Sequence, residues 1–325
     1  MEKIIGIRYG RVRAHPCNRE WFAAVGVKMT YPFNIFTDPW VYKLGPLNQL
    51  FGFLYSLIIP RAETYLLTST GCVSAVWLKK KLHGSKIIAV NSDTFYRDLR
   101  KARGLKRVYM NWLAKNVDGI VSTSHLMKGL VDLNVPHEVV YPYCDVKRFS
   151  SVKPDYKSGN ICSIGTGVRT KGTDILYEVY AMYKKKFSSS KLFVLGEKRM
   201  IAHMKHPEGT VLPGKVDPRS YLSKSSIYIN TSRHESFGVN IVEAMCAGFV
   251  PLVTDRCGAA ELVREVDPSL VTSLDSSEIA KKAVALQRNS AKRKKLGAKA
   301  KKVARRCTKG WSVRNFKNAF SLVSS

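Results

Sequence analysis

Two glutamates eight positions apart, Glu235 and Glu243, bracket a glycine, Gly238, and a run of apolar residues. A β-rich run at 226–230 precedes them, a polar turn carries Glu235, and an amphipathic helical pattern spans 239–248. The order is strand, loop, helix. The free N–H groups at the start of such a helix, together with its dipole, form a site for an anion such as a diphosphate. Gly238 lets the main chain approach the ligand closely. Glu243, one turn into the helix, can accept two hydrogen bonds from vicinal hydroxyls such as those of a ribose. Glu235, on the loop, stands nearer a reacting group. The plainer reading gives both glutamates to the helix dipole and to solvent. Against it, Val239, Ile241, Val242, Ala244, Met245 and Ala247 surround Glu243 in sequence, and a carboxylate among apolar groups costs free energy unless it has a partner.

Short β-rich runs alternate with helical patterns along nearly the whole chain, as parallel sheets with helical crossovers require. The expected fold class is α/β. In the first half the strand candidates are 4–7, 65–69, 86–90, 119–122 and 138–141, with helices at 73–82 and 96–115. A polar run at 150–159 has neither period and reads as a connector. The second series places strands at 161–164, 192–195, 210–212, 227–230, 250–253 and 270–272. Two α/β units with ligands at the carboxyl ends of their strands imply a cleft between the units as the place of chemistry.

The 325 residues include 54 Lys and Arg against 24 Asp and Glu, a net charge of +30, so the surface should attract anionic ligands, anionic lipid or nucleic acid. The odd, scattered cysteines (Cys17, Cys72, Cys144, Cys162, Cys246, Cys257 and Cys307) contain no C-x-x-C pair and suggest a reducing, cytoplasmic setting. The first seven residues read as a strand rather than a signal peptide. Residues 44–60 are apolar but too short and interrupted to span a bilayer. They read as a core helix or, alternatively, as an interfacial one. The cationic block at 277–306 reads as surface helices, with a polyanion-binding role left open.

As an ordered set, Glu235-Ser236-Phe237-Gly238, Glu243, Ala244-Met245-Cys246-Ala247-Gly248, Pro251 and Gly258-Ala259-Ala260-Glu261 resemble the E-x7-E region of retaining GT-B glycosyltransferases of family 4. Ile164-Gly165-Thr166-Gly167 through Lys171-Gly172 resembles that family's diphosphate loop, Val194-Leu195-Gly196 its following strand, and Gly214-Lys215-Val216 its strand end near the nucleobase. Gly310-Trp311-Ser312 with Phe316 and Phe320 resembles its terminal helix. The resemblance implies two Rossmann-like, doubly wound parallel-sheet domains facing a cleft. Residues 1–145 would bind the acceptor, joined by the terminal helix 311–325; residues 146–158 would link; and residues 159–310 would bind a nucleotide sugar. It implies Glu243 as ribose ligand, Glu235 as a contact to the donor sugar and Lys171 on the diphosphate. Gly165, Thr166 and the backbone of Ser236, Phe237, Gly238 and Val239 would hold phosphate and sugar, with Val216 near the base. Neither metal nor cofactor is implied beyond the nucleotide-sugar co-substrate.

Three departures narrow this. Thr166 occupies the place of the family's usual arginine, leaving Arg169 or Arg199 to supply that cation. Tyr9-Gly10-Arg11 stands where the family has a glycine pair. The first domain lacks the family histidine before its mid-domain loop, so Asp93 is the candidate to orient an acceptor hydroxyl, unless it only caps the helix beginning near Phe95. His203 and His206 read as surface residues rather than a metal pair, and His125 as a helix-start contact or a cleft residue. The acceptor could be a sugar, a lipid-linked species or a protein. The competing class is a catalytically weak basic protein that holds nucleic acid or anionic membrane on a GT-B scaffold. A third reading combines the two, with the enzyme resting peripherally on the cytoplasmic face of an anionic membrane.

Overall fold

The computed structural model describes residues 2–8, 16–27, 29–30, 46–165, 169–201 and 203–325. The chain divides into two compact units, residues 1–142 with 310–325, and residues 143–309. Each is built on one six-stranded parallel sheet.

The first unit contains β1 (Glu2–Ile7), β2 (Met29–Thr30), β3 (Ala62–Leu67), β4 (Lys86–Asn91), β5 (Gly119–Ser122) and β6 (His137–Val139), in the order β2-β1-β3-β4-β5-β6. Strand β2 has only two residues, too few to show any period in the sequence. Ile5, Ile7, Tyr65, Leu67, Ile87, Ala89 and Ile120 are buried between the helical layers, as strands covered on both faces require. The helical pattern over 96–115 is two helices, Phe95–Lys101 and Gly104–Lys115. Ala102 is extended and Gly104 left-handed between them, which no run of propensities announced. The terminal helix, Lys309–Ser324, packs within this unit beyond its first residue: Trp21 stacks on Phe316 with centroids 5.0 Å apart, and Trp21 Nε1 donates to Ser312 Oγ.

The second unit contains β7 (Ile161–Ile164), β8 (Leu192–Leu195), β9 (Thr210–Gly214), β10 (Ile227–Asn230), β11 (Val250–Thr254) and β12 (Val271–Thr272), ordered β12-β11-β10-β7-β8-β9. The chain runs outward from β7 to β9, then returns to lay β10 on the other side of β7. The gap between the ends of β7 and β10 is therefore the point where winding reverses, where such sheets admit ligands. The strand-dense sequence of Ile227, Tyr228, Ile229, Val250 and Leu252 is fully buried there. The cationic tail forms two helices, Ser276–Arg288 and Ser290–Ala304, whose Ile279, Leu286, Leu296 and Ala300 face the core and leave most of the lysines in water. Arg293 is the exception: it is buried and donates to Ser226 Oγ and to the carbonyls of Leu286 and Tyr156.

Candidate active site

The site grows out of the reversal point of the second sheet. After β10 the chain enters the loop 231–238, which is pinned at several places. Asn230 Oδ1 accepts from Ser232 N at 3.0 Å and from Cys257 Sγ at 3.2 Å, and Thr254 Oγ1 donates to the Ser232 carbonyl at 2.7 Å. Glu235 forms a parallel bridge with Cys257, its N–H donating to the Arg256 carbonyl and its carbonyl accepting from Gly258 N, both at 3.0 Å. The Phe237 carbonyl accepts from Ala259 N at 2.7 Å. The segment Gly258-Ala259-Ala260 thus serves as a clamp on the loop that carries Glu235.

Gly238 then turns the chain into the helix Val239–Cys246 with φ +96°, a left-handed conformation that side-chain-bearing residues rarely adopt. A Cβ there would lie 2.7 Å from Ile241 Cδ1. The glycine sets the direction in which the helix presents its first N–H groups. Asn240 in the first turn donates from Nδ2 to the Ile164 carbonyl at 2.6 Å, tying the end of β7 to this helix. Asn240 Oδ1 is buried with no hydrogen-bond partner among the described residues.

Opposite lies the loop after β7. Lys171 Nζ forms an ion pair with Glu235 Oε2, joining the two strand ends across the reversal point. Both side chains are partly shielded from water, with Glu235 15% exposed, so the pair is held rather than solvated. The sequence motif implied both residues separately; their pairing is a product of the topology. Gly172 follows with φ +63°, and a Cβ there would sit 2.0 Å from the Thr231 carbonyl oxygen, so the Lys171 loop packs directly on the Glu235 loop. Thr231 Oγ1 donates to the Gly172 carbonyl at 2.7 Å.

Arg233, which the sequence reading passed over, holds this arrangement. Its guanidinium grips Asp174 with two bonds of 2.7 and 2.6 Å and donates to the Arg169 carbonyl at 2.9 Å, while its backbone N–H donates to the Thr170 carbonyl at 2.7 Å. The fork geometry of arginine suits this bidentate grip. Its signal was available only as an arginine two residues before Glu235. Replacing Arg233 by alanine is expected to lower kcat/KM about tenfold with little change in global melting, because it loosens the Lys171 loop without touching ligand groups. Steady-state kinetics beside a melting curve check this.

Glu243 faces the connector rather than the Lys171 loop. Burial pushes its carboxyl up to about 7, against the lowering field of Arg148 and with the raising field of Asp145, both from the segment that enters the short helix Val146–Ser150. Arg148 divides its charge with Asp217, 3.2 Å away. Cys144 Sγ lies 3.4 Å from Cys246 Sγ in the same helix as Glu243, which seats the connector against it.

The remaining candidates are placed as follows. Arg169 is exposed at the start of the turn Arg169–Lys171. Gly165 ends β7 with φ +113°, and its N–H donates to the Leu195 carbonyl at 2.8 Å. Thr166 lies outside the described residues, as do Tyr9, Gly10 and Arg11. Val216 follows β9 and is 39% exposed, an uncommon state for a valine at a strand end. Arg199 pairs with Glu197, which also holds Lys215 at 2.9 Å. Asp93 belongs to the first unit, past the end of β4, where its Oδ1 accepts from Phe95 N at 3.0 Å; burial raises its carboxyl above the usual range while a bond from Ser69 opposes that rise. It does cap the following helix. His203 lies in a turn, and His206 Nδ1 contacts the Met204 carbonyl. His125 opens the helix His125–Lys128, with its ring 6.4 Å from that of Tyr141.

Residues 147–303, nearly the whole of the second unit, match the family model described as glycosyl transferases group 1. The chain has the GT-B fold, and its second unit is similar to glycosyl transferases group 1. Among its relatives, an uncharacterized glycosyltransferase of Methanocaldococcus jannaschii is 25% identical over 242 residues, covering 73% of this chain and 68% of that one. Two solved structures share this fold. Sucrose-phosphate synthase from Thermosynechococcus elongatus superposes with a TM-score of 0.75 at 12% identity, covering 98% of both chains. HepE from Anabaena, solved with UDP and glucose, superposes with a TM-score of 0.74 at 14% identity, covering 98% of this chain and all of HepE. At such identities the superpositions speak to the fold, and the family match spans residues 147–303.

Proposed function

We propose that this chain moves a sugar from a nucleoside-diphosphate donor to an acceptor with retention of anomeric configuration, using protein cations rather than a metal on the leaving group. The ion pair of Lys171 with Glu235 at the reversal point of the second sheet carries the proposal. An ammonium with three donors can keep Glu235 and still meet a phosphate oxygen, so a diphosphate arriving at the start of the helix Val239–Cys246 finds both its cation and backbone N–H groups in place. Glu235, on the other side of that cation, is positioned for hydroxyls of the donor sugar. Glu243 takes the ribose hydroxyls, the backbone of Ser236, Phe237, Gly238 and Val239 with Gly165 and Thr166 takes phosphate and sugar, and exposed Val216 offers an apolar surface to the base. That HepE, which shares the fold, was solved with UDP supports a nucleotide-based donor.

In the reaction the bond from the anomeric carbon to the β-phosphate oxygen breaks, and a bond from that carbon to the acceptor oxygen forms on the same face. The acceptor's proton passes to the departing phosphate oxygen. Negative charge grows on that phosphate as the bond breaks, so Lys171, aided by Arg169, stabilises the transition state more than the ground state. The second unit would serve as the donor domain and the first as the acceptor domain, with Asp93 the residue there to orient an acceptor hydroxyl.

A melting-curve panel of nucleoside diphosphates and their sugars, run both with magnesium and with EDTA, tests this reading. The matching nucleotide at a hundred times its dissociation constant should stabilise the chain by about 2.7 kcal/mol. A panel in which no nucleotide moves the curve would overturn it, and a shift abolished by EDTA would overturn the metal-independent part.

A further inference from the structure

Large apolar side chains are left in water on one set of neighbouring helices in the first unit. Leu54, Leu57 and Ile58 are exposed on the helix Pro46–Ile58, Leu82 on Trp77–His83, and Leu105 and Val108 on Gly104–Lys115. Ile58 is 76% and Leu105 87% exposed. Scattered single leucines on a surface mean little, but six on three adjoining helices form a patch. The helices adjoin because Phe53, Trp77 and Trp112, one from each, meet with ring centroids 5.4 to 5.8 Å apart, and Lys79 Nζ donates to the Leu57 carbonyl at 3.2 Å.

The pattern within each helix shows that the exposure is built in. Leu105, Val108, Tyr109 and Trp112 recur at helical spacing and form one apolar stripe. Its Trp112 end is packed in the aromatic cluster, whereas its Leu105 end runs out into solvent. Leu54, Leu57 and Ile58 likewise share one face, opposite buried Ser56 and Ile59. A helix end that only needed to pack would have polar residues at these positions.

The charge around the patch is predominantly positive, although exposed Glu63 follows Arg61 by two residues and exposed Asp132 lines a pocket with Arg107. Segments 54–61, 77–83 and 103–108 contain no aspartate or glutamate, and they contribute exposed Arg61, Lys81, Arg103, Lys106 and Arg107 beside Lys79. Lys80 is spent on Asp118 at 2.6 Å. Another nearby acid, Asp98, is held by Arg97 and Thr94 and feels Lys106. Among the described residues no helix is long and apolar enough to cross a membrane, so the patch is not the flank of a span. Apolar side chains interleaved with an excess of cations complement an anionic interface: the hydrocarbon groups enter the headgroup boundary while the cations meet phosphate.

We infer that this face of the first unit, Leu54, Leu57, Ile58, Leu82, Leu105 and Val108 ringed by Arg61, Lys81, Arg103 and Arg107, docks on an anionic lipid bilayer. The inference stands on surface chemistry and is independent of the donor reading. Monotopic contact of this kind combines apolar insertion with electrostatic attraction, so it should fall both with salt and with loss of either group.

Sedimentation of the full chain with phosphatidylcholine vesicles, with and without 30 mol% phosphatidylglycerol (~30%, a composition at which surface charge dominates), tests it. The chain should pellet with the anionic vesicles at low salt and remain in solution with the neutral ones. The triple variant Ile58→Ser, Leu105→Ser, Val108→Ser should partition about tenfold less, and Arg103→Gln with Arg107→Gln about fivefold less per charge. These side chains are exposed, so an unchanged melting curve and an unchanged nucleotide-induced shift should accompany the loss. Absence of pelleting, or pelleting that the triple variant leaves intact, would overturn the inference. If instead the triple variant turned a dimer into a monomer in size-exclusion light scattering with no effect on lipid partition, the patch would be a self-association surface and the lipid reading would be wrong.

Discussion

Lys171→Ala is expected to lower kcat/KM by about 10²- to 10³-fold, the loss seen when one preorganised charge-stabilising donor is removed from a transition state. The fall should lie mainly in kcat, because the cation matters most when the phosphate departs. Glu235 complicates the expectation in a useful way. In the ligand-free chain its carboxylate already occupies Lys171, so Glu235→Ala releases the lysine as well as removing the proposed sugar contact. The two effects separate in a double-mutant cycle. If Glu235 serves only to hold Lys171, adding Glu235→Ala to the Lys171→Ala chain costs nothing further; if it also contacts the donor sugar, the double variant falls below the single one. Single-turnover kinetics on the four chains decide between these, and a Lys171→Ala chain with undiminished kcat would remove the lysine from the leaving-group role.

The second large effect concerns Glu243 and has opposite signs for stability and binding. Burial raises its carboxyl from 4.5 to about 7. An acid whose folded value is raised favours the folded state below its unfolded value, and that contribution is lost as pH rises from about 4.5 through about 7. Above pH 7 the ligand-free chain therefore carries a buried charge whose cost is on the order of 2–4 kcal/mol, one pKa unit corresponding to about 1.4 kcal/mol. Glu243→Gln removes that charge and keeps the shape. The ligand-free variant should melt higher than the parent at pH 8 and no higher at pH 5. Nucleotide binding should move the other way, weakening about 10- to 100-fold at pH 8 because hydrogen bonds from ribose hydroxyls to a charged acceptor are lost. In the parent, affinity should rise from pH 6 to pH 8 as the carboxyl ionises, and the variant should lose that component of the rise. Calorimetric titration at the two pH values checks both signs. A variant that binds nucleotide as the parent does would take Glu243 out of the donor site.

These two glutamates share a motif but not an environment, and the difference marks how much of the site the sequence contained. The type of each group was legible: a loop carboxylate, a glycine, a helix start and a second carboxylate one turn later have a chemical meaning in any order-preserving fold. The strands were legible for the same reason. Ile227-Tyr228-Ile229 and Val250-Pro251-Leu252-Val253 are apolar on both faces, which only a covered parallel sheet accommodates. Helix breaks were not: Ala102 and Arg103 lie inside a continuous helical pattern, and the interruption there depends on Gly104 adopting a left-handed conformation. Nor could the pattern at 44–60 say which of its apolar residues would be covered. Phe53 is taken up by Trp77 and Trp112, and Leu57 and Ile58 are not, a division made by where three helices meet.

By itself, then, the sequence determined the α/β class, the two sheets and the residue types suited to an anion and to hydroxyls, because hydrophobic period and glycine placement act over a few neighbouring residues. Tertiary structure alone decided that Lys171 pairs with Glu235, that Arg233 fastens the loop between them through Asp174, and that half-buried Glu243 feels the charges of Asp145 and Arg148. Each of those relations joins residues far apart in the chain, through the reversal of strand order at β7 and β10 or through the seating of the connector on the helix Val239–Cys246. Charge pairing and desolvation depend on distance in space, and the chain writes down only distance along itself.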